Sequence, residues 1–129
     1  MSSIFSKIII GEIPCYKIAE DDKFIAILDA FPVVQGHVLV IPKKETDQLF
    51  KLPREEYNEL MSYTYNIAQA VKKAIPCERV GMVVQGLEIP HVHVHLIPLN
   101  EPSDLQFEKK LKLTVNEFET IANKIKSYL

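Results

Sequence analysis

Between Phe24 and Leu28, and again from Val38 to Ile41 after His37, apolar residues follow one another without a polar break. Both runs are short, rich in Ile and Val, and bounded by turn-forming residues, so they predict strands over Phe24–Leu28 and His37–Ile41. Tyr16–Ala19 predicts another short strand, joined to Phe24–Leu28 through Glu20-Asp21-Asp22-Lys23. Phe31-Pro32 and Gln35-Gly36 mark the loop before His37, while Pro42 and the charged Lys43-Lys44-Glu45 end that strand. Arg79–Val84 predicts a further strand, after which Gln85-Gly86 turns the chain back into Ile89-Pro90-His91-Val92-His93-Val94-His95-Leu96-Ile97-Pro98. Here the period is two, with histidine alternating with Val and Leu. That pattern predicts a strand carrying three imidazoles on one face, about 6.6 Å between neighbouring Cα positions.

Elsewhere the apolar positions recur at three- and four-residue steps. Tyr57, Leu60, Met61, Thr64, Ile67, Ala68, Val71 and Ile75 form one stripe of a long helix over Pro53–Ala74. Pro53 suits a first helical position, Glu55 and Glu56 favour the positive end of the dipole, and Pro76 ends the pattern. Residues 3–10 predict a short helix or turn, capped by Ser2 or Ser3 and stopped by Gly11, with Ile4, Ile8 and Phe5, Ile9 at helical spacing. In the tail, Asn100–Asp104 reads as loop. Thr114-Val115-Asn116-Glu117 is a capping box opening a helix to about Tyr128, with Phe118, Ile121, Ala122 and Ile125 on one face. Strands, a long helix, more strands and a terminal helix, linked by short hairpins, predict an α+β fold with an antiparallel sheet of about five strands.

Composition narrows the function classes. The chain has 129 residues, 47% of them hydrophobic and 25% charged, with a net charge of −2. This fits one globular domain spanning 1–129, and offers no basic face that would make nucleic acid an obligate partner. Cys15 and Cys77 have no metal-ligand spacing and do not form a disulfide scaffold, so reduced thiols and a cytoplasmic location are expected. The apolar patch near the N-terminus is cut by Ser6, Lys7 and Glu12, too short and interrupted for a signal peptide or membrane span.

Three of the four histidines stand in the alternating run, and Val or Ile would fill a core there at lower cost. A neutral imidazole is a nucleophile towards phosphorus and can serve as acid or base near neutral pH. A row of three can divide that labour, with His93, flanked on both sides, as the natural attacker. If the strand of His37 pairs beside this one, a fourth imidazole joins and can orient His91. The competing chemistry is metal binding, since His-x-His on a strand offers two neutral ligands to zinc, with Glu88 and Glu101 as candidate additions.

The run His91-Val-His93-Val-His95-Leu-Ile resembles the signature of the histidine triad (HIT) family. Ser3-Ile-Phe-Ser-Lys-Ile-Ile-Ile-Gly-Glu-Ile-Pro14 resembles the opening segment of its Hint-like branch. Phe24-Ile-Ala-Ile-Leu-Asp29, Pro32 and Gly36-His37-Val-Leu-Val-Ile-Pro-Lys-Lys44 are similar to its next block. Together these cover roughly residues 3–99; the tail beyond Pro98 has no match. The resemblance implies a nucleotide hydrolase or transferase acting at the phosphorus next to a nucleoside, on a phosphoramidate or nucleotide ester. It implies His93 as the nucleophile, forming a covalent nucleotidyl-imidazole, with the His91 backbone and ring holding its tautomer. It assigns His95 to the phosphate and leaving group, and His37 to support of the cluster. Asp29 matches the ribose-binding position, and Ile4, Phe5, Ile8, Ile13, Ile27 and Leu39 match the apolar pocket around the base. A purine nucleotide ligand, a homodimer and no metal or organic cofactor complete that expectation. A nucleotide-binding module with little turnover and a zinc-dependent hydrolase are the alternatives.

Two departures from the family pattern stand out. The loop before the triad is short, Val84-Gln85-Gly86-Leu87-Glu88-Ile89-Pro90, with Leu87 where a polar phosphate contact is usual and Gln85 as the candidate substitute. Ser3 and Ser6 stand where some bacterial relatives carry cysteines, which argues against a structural zinc near the N-terminus.

Overall fold

The computed structural model describes residues 3–129; of the two expected capping serines, Ser2 lies outside that range. Five strands form one antiparallel sheet: β1 (Lys17–Glu20), β2 (Phe24–Leu28), β3 (Val38–Pro42), β4 (Arg79–Val83) and β5 (Val94–Leu99), in the order β1-β2-β3-β5-β4. Three helices accompany it, α1 (Ile4–Ile9), α2 (Arg54–Ala74) and α3 (Val115–Lys126). The fold is α+β, as expected.

Both faces of the central strands are covered, which is why β2 and β3 read as unbroken apolar runs. Ala26, Leu28, Val38, Val40, Val94 and Leu96 pack with Leu60, Ile67 and Val71 of α2 and Phe118, Ile121 and Ile125 of α3. Each large aliphatic buried there contributes roughly 1.5–3 kcal/mol. The alternate residues Ile25, Ile27, Leu39 and Ile41 turn to the other face, where Phe5, Ile8 and Ile9 of α1 cover them. Ser3 caps α1, its hydroxyl accepting from the Ser6 N–H at 3.1 Å. The capping box of α3 is complete in both directions between Thr114 and Glu117. Pro53 is the residue before α2 rather than its first helical residue. The expected tail loop contains a 3-10 turn at Pro102–Leu105. Among the described residues no helix is long and apolar enough to cross a membrane.

One expectation is corrected. The histidine segment is not a strand throughout: β5 begins at Val94, so only His95 lies within the sheet, and His91 and His93 precede it. The β3–β5 register pairs Val38 with Leu96 and Val40 with Val94, so its continuation would place Pro42 opposite Val92. Proline has no N–H to donate, and the ladder stops short of it. Val92 donates instead to the Thr46 carbonyl at 2.8 Å.

Gly36 brings the chain into β3 with φ +90°, and a Cβ there would sit 2.7 Å from Ile75 Cγ1 and 3.1 Å from Pro98 Cγ. Gly36→Ala should therefore lower unfolding free energy by about 2–4 kcal/mol, from left-handed strain plus overpacking. Urea denaturation checks this; an unchanged midpoint would contradict it.

Candidate functional site

Four imidazoles, Phe5 and Asp29 meet where the ends of β2, β3 and β5 come together. Antiparallel partners share a face, so the pairs Ile27–Leu39, Leu39–His95 and Val83–His95 set these side chains in one row across the sheet. His37 immediately precedes β3, and its ring lies 5.1 Å from that of His95. His95 and His93 rings are 5.0 Å apart, and Phe5 lies against both His93 (4.8 Å) and His91 (5.8 Å). All four histidines are buried, His93 and His95 retaining 7% and 8% exposure.

The hydrogen-bond partners assign each ring's proton, because a backbone carbonyl only accepts and a backbone N–H only donates. His93 Nδ1–H donates to the His91 carbonyl at 2.7 Å, leaving Nε2 with its lone pair. His91 Nε2–H donates to the Pro42 carbonyl at 2.7 Å, and its Nδ1 accepts from the Ser3 hydroxyl at 2.7 Å. Val33 N–H donates to His37 Nδ1 at 3.1 Å, so His37 carries its proton on Nε2 and gives it to His95 Nδ1 at 2.9 Å. Neutral His95 then holds its own proton on Nε2. The array thus presents one free lone pair beside one free N–H.

Burial favours the neutral form of His37, His93 and His95. Burial is the main cause that lowers His37 to about 3 and His95 to about 4; neighbouring positive charge, including Lys110, adds to both. His93 is lowered as well, chiefly by burial, with the His91 carbonyl opposing. The 3.4 Å approach of His37 Nε2 to Asp29 Oδ2 is therefore a contact of a neutral ring, not an ion pair, at pH 7. Asp29 is raised by burial, with the Phe31 N–H opposing at 2.8 Å from Oδ1.

The expected ring roles need two corrections. His37 orients His95 rather than His91, because the pairing of β3 with β5 sets His37 beside the strand residue and not the preceding segment. The His91 ring does not touch His93's Nδ1; its backbone carbonyl alone does, and the ring is turned to Ser3 and Pro42. Phe5, Ile8, Ile27 and Leu39 of the expected apolar set come together on the α1 side of the sheet. Ile4 is 47% exposed and stands away from them, Ile13 is half-buried outside that cluster, and Gln85 is exposed.

Several contributors had escaped the sequence reading. Glu45 Oε1 accepts from Ser3 N–H at 2.7 Å and from the Ser6 hydroxyl at 2.8 Å, fixing the serine that holds His91. The Ser3 N–H foremost, then the Ser6 and Ser3 hydroxyls, hold the Glu45 carboxyl down at about 2. Phe107, from the tail, sets its ring edge-on to His95 at 4.9 Å and near His37 at 6.2 Å. Only the odd Ser3/Ser6 pair gave a signal; Glu45 and Phe107 reach the site through long-range packing. A cleft of about 200 Å³ near Lys23, Lys44, Glu56 and Glu59 lies apart from the histidines and is bordered by surface ion pairs.

Asp29, His37 and His95 bring ligand-type atoms within 4.8 Å of one another. They do not fit a zinc centre as arranged: His37 Nε2 bears the proton and His95 Nδ1 receives it, whereas a metal needs both lone pairs.

Residues 10–102 match the HIT domain family. An adenosine 5'-monophosphoramidase of Schizosaccharomyces pombe is 37% identical over 103 residues, 76% of this chain and 74% of that protein. An adenylylsulfatase of Arabidopsis thaliana is 35% identical over 84% of this chain, which spans 58% of that longer protein. A HIT-like protein involved in cell-cycle regulation from Bartonella henselae superposes with TM-score 0.87 at 32% identity, over 99% of this chain and 96% of that one. Because the family match takes in all five strands and all four histidines, this chain belongs to the HIT family.

Proposed function

We propose that the protein is a hydrolase or transferase cleaving at the α-phosphorus of a purine nucleoside phosphoramidate or nucleotide ester, through a covalent nucleotidyl-histidine on His93. The observation that carries this reading is the His93 Nδ1–H bond to the His91 carbonyl, which leaves the Nε2 lone pair as the nucleophile. Attack forms the N–P bond as the bond to the leaving group breaks. His95, whose proton is held on Nε2 by His37, donates it to a departing amine. Water, giving a proton back to His95 Nε2, then attacks the phosphorus, breaks the N–P bond and regenerates His93. Relatives named for adenylylsulfate and adenosine monophosphoramidate chemistry support adenylyl substrates.

Asp29 is the ribose ligand in this reading, through Oδ2 and the remaining capacity of Oδ1. Phe5, Ile8, Ile27 and Leu39 supply apolar surface for the base. A homodimer belongs to the same proposal: β4 pairs with β5 on one side, and Met82 at that sheet edge is 54% exposed.

Rapid-quench intact-mass analysis with adenosine 5'-monophosphoramidate tests the reading. Wild type should gain one adenylyl group transiently, and His93→Ala should gain none while losing turnover and keeping nucleotide affinity. A binding module would bind without any adduct, and activity in His93→Ala within tenfold of wild type would remove His93 as nucleophile.

The lowered histidines also set the pH response. Protonating His93 removes the attacking lone pair, and its pKa lies below the ordinary 6.5. On adenosine 5'-phosphosulfate, kcat/KM should fall on the acid side with its midpoint below 6.5. An acid limb centred at 6.5 or above would contradict the burial argument.

Asp29→Ala should weaken ribonucleotides more than their 2',3'-dideoxy analogues, since charge-assisted hydrogen bonds to the hydroxyls are worth roughly 1.5–3 kcal/mol each. Calorimetry with both ligands decides; equal losses would leave Asp29 as only the turn residue that holds the Phe31 N–H.

A further inference from the structure

The tail after β5 returns across the site. Beyond the 3-10 turn at Pro102–Leu105, Phe107 sets its ring edge against His95, and Lys110 places its Nζ 5.7 Å from the centre of that same ring. Leu111 N–H donates to the Pro32 carbonyl at 2.8 Å, tying this segment to the loop that carries Asp29 and leads into His37. The tail is thereby fastened on both sides of Lys110, by an aromatic contact and by a backbone hydrogen bond.

We propose that Lys110 is a specificity-determining residue whose ammonium pairs with an anionic leaving group, sulfate or phosphate, as it departs from the adenylyl phosphorus beside His95. The inference rests on the reading that His93 attacks that phosphorus.

Charge and placement support it. In the loop that precedes His91, residues 85–90 carry one charged side chain, the acidic Glu88, and Leu87 is 89% exposed. That loop offers an anion no cation. Lys110 is the lysine whose positive charge reaches Asp29, His37 and His95 together, opposing protonation of both rings. It is itself exposed, so it can swing towards a bound anion without leaving an unpaired charge buried.

The chemistry separates two substrate types. An amine leaving group must take a proton as the P–N bond breaks, and His95 Nε2–H supplies it. Sulfate departs with the electron pair of the broken P–O bond and needs no proton; what it needs is a counter-charge for its developing dianion. Phe107 lies against both His95 and Lys110, which brings the cation to the proton donor's end of the site.

The test compares kcat/KM for adenosine 5'-phosphosulfate and adenosine 5'-monophosphoramidate in wild type, Lys110→Ala and Lys110→Arg. Losing a charge-assisted contact to the leaving group should lower the sulfate-to-amidate preference about tenfold in Lys110→Ala. Lys110→Arg, which keeps the charge, should recover most of it. A preference within twofold of wild type in Lys110→Ala would overturn the proposal. Affinity keeps it testable if wild type turns over neither substrate, the outcome that sinks the catalytic reading. A loss of phosphosulfate affinity in Lys110→Ala that adenosine does not share then upholds the anion contact, and equal affinities overturn it.

Discussion

The short antiparallel pairing of β3 with β5 is the constraint on which the rest of this molecule depends. Three residue pairs, Val38–Leu96, Leu39–His95 and Val40–Val94, join two halves of the chain more than fifty residues apart. Their even members turn to the α2–α3 side and complete the larger core, while Leu39 and His95 turn to the α1 side. A slip of one residue would exchange those faces, burying imidazole against Leu60 and Val71 and turning Val94 to the α1 side. The apolar demand of the helix side therefore fixes where the imidazoles point. The same pairing sets His37, one residue before β3, within reach of His95.

Burial makes the tautomers determinate. A buried ring nitrogen without a partner costs free energy, so six of the eight are satisfied by whatever group the fold supplies. Here those groups are mostly backbone: the Val33 N–H, the Pro42 carbonyl and the His91 carbonyl, joined by the Ser3 hydroxyl. Backbone groups cannot switch between donor and acceptor, and their fixed polarity propagates through two linked imidazoles. Among the described residues, His93 Nε2 and His95 Nε2 are the ring nitrogens left without a protein partner. The free lone pair and the free N–H fall on adjacent rings because the partners were used elsewhere.

Pro42 shows how a single residue serves both ends. Without an N–H it cannot extend the β3–β5 ladder, which releases His91 and His93 from the sheet. Its carbonyl remains available and takes the His91 ring. The released segment then bends so that the His91 carbonyl meets His93 Nδ1, a local contact that a continuous strand would have directed to a neighbouring strand instead.

Much of this was legible from residue order. The buried runs Phe24–Leu28 and Val38–Ile41, the stripe of α2 and the capping box of α3 are local patterns, and local patterns are set by side-chain period and backbone propensity. The alternating histidines, with the surrounding blocks, marked the site and its family. What residue order could not decide was partnership across the chain. Whether His37 meets His91 or His95 depends on strand register, and whether His91 belongs to the strand depends on which residue lies opposite Pro42. Glu45, Phe107 and Lys110 reach the histidines only because distant segments pack together, and no periodicity encodes that. Sequence determined which groups are available and which faces must be buried; tertiary structure decided which hydrogen bond each buried ring receives, because those partners come from elements far apart in the chain and become neighbours only when the sheet closes.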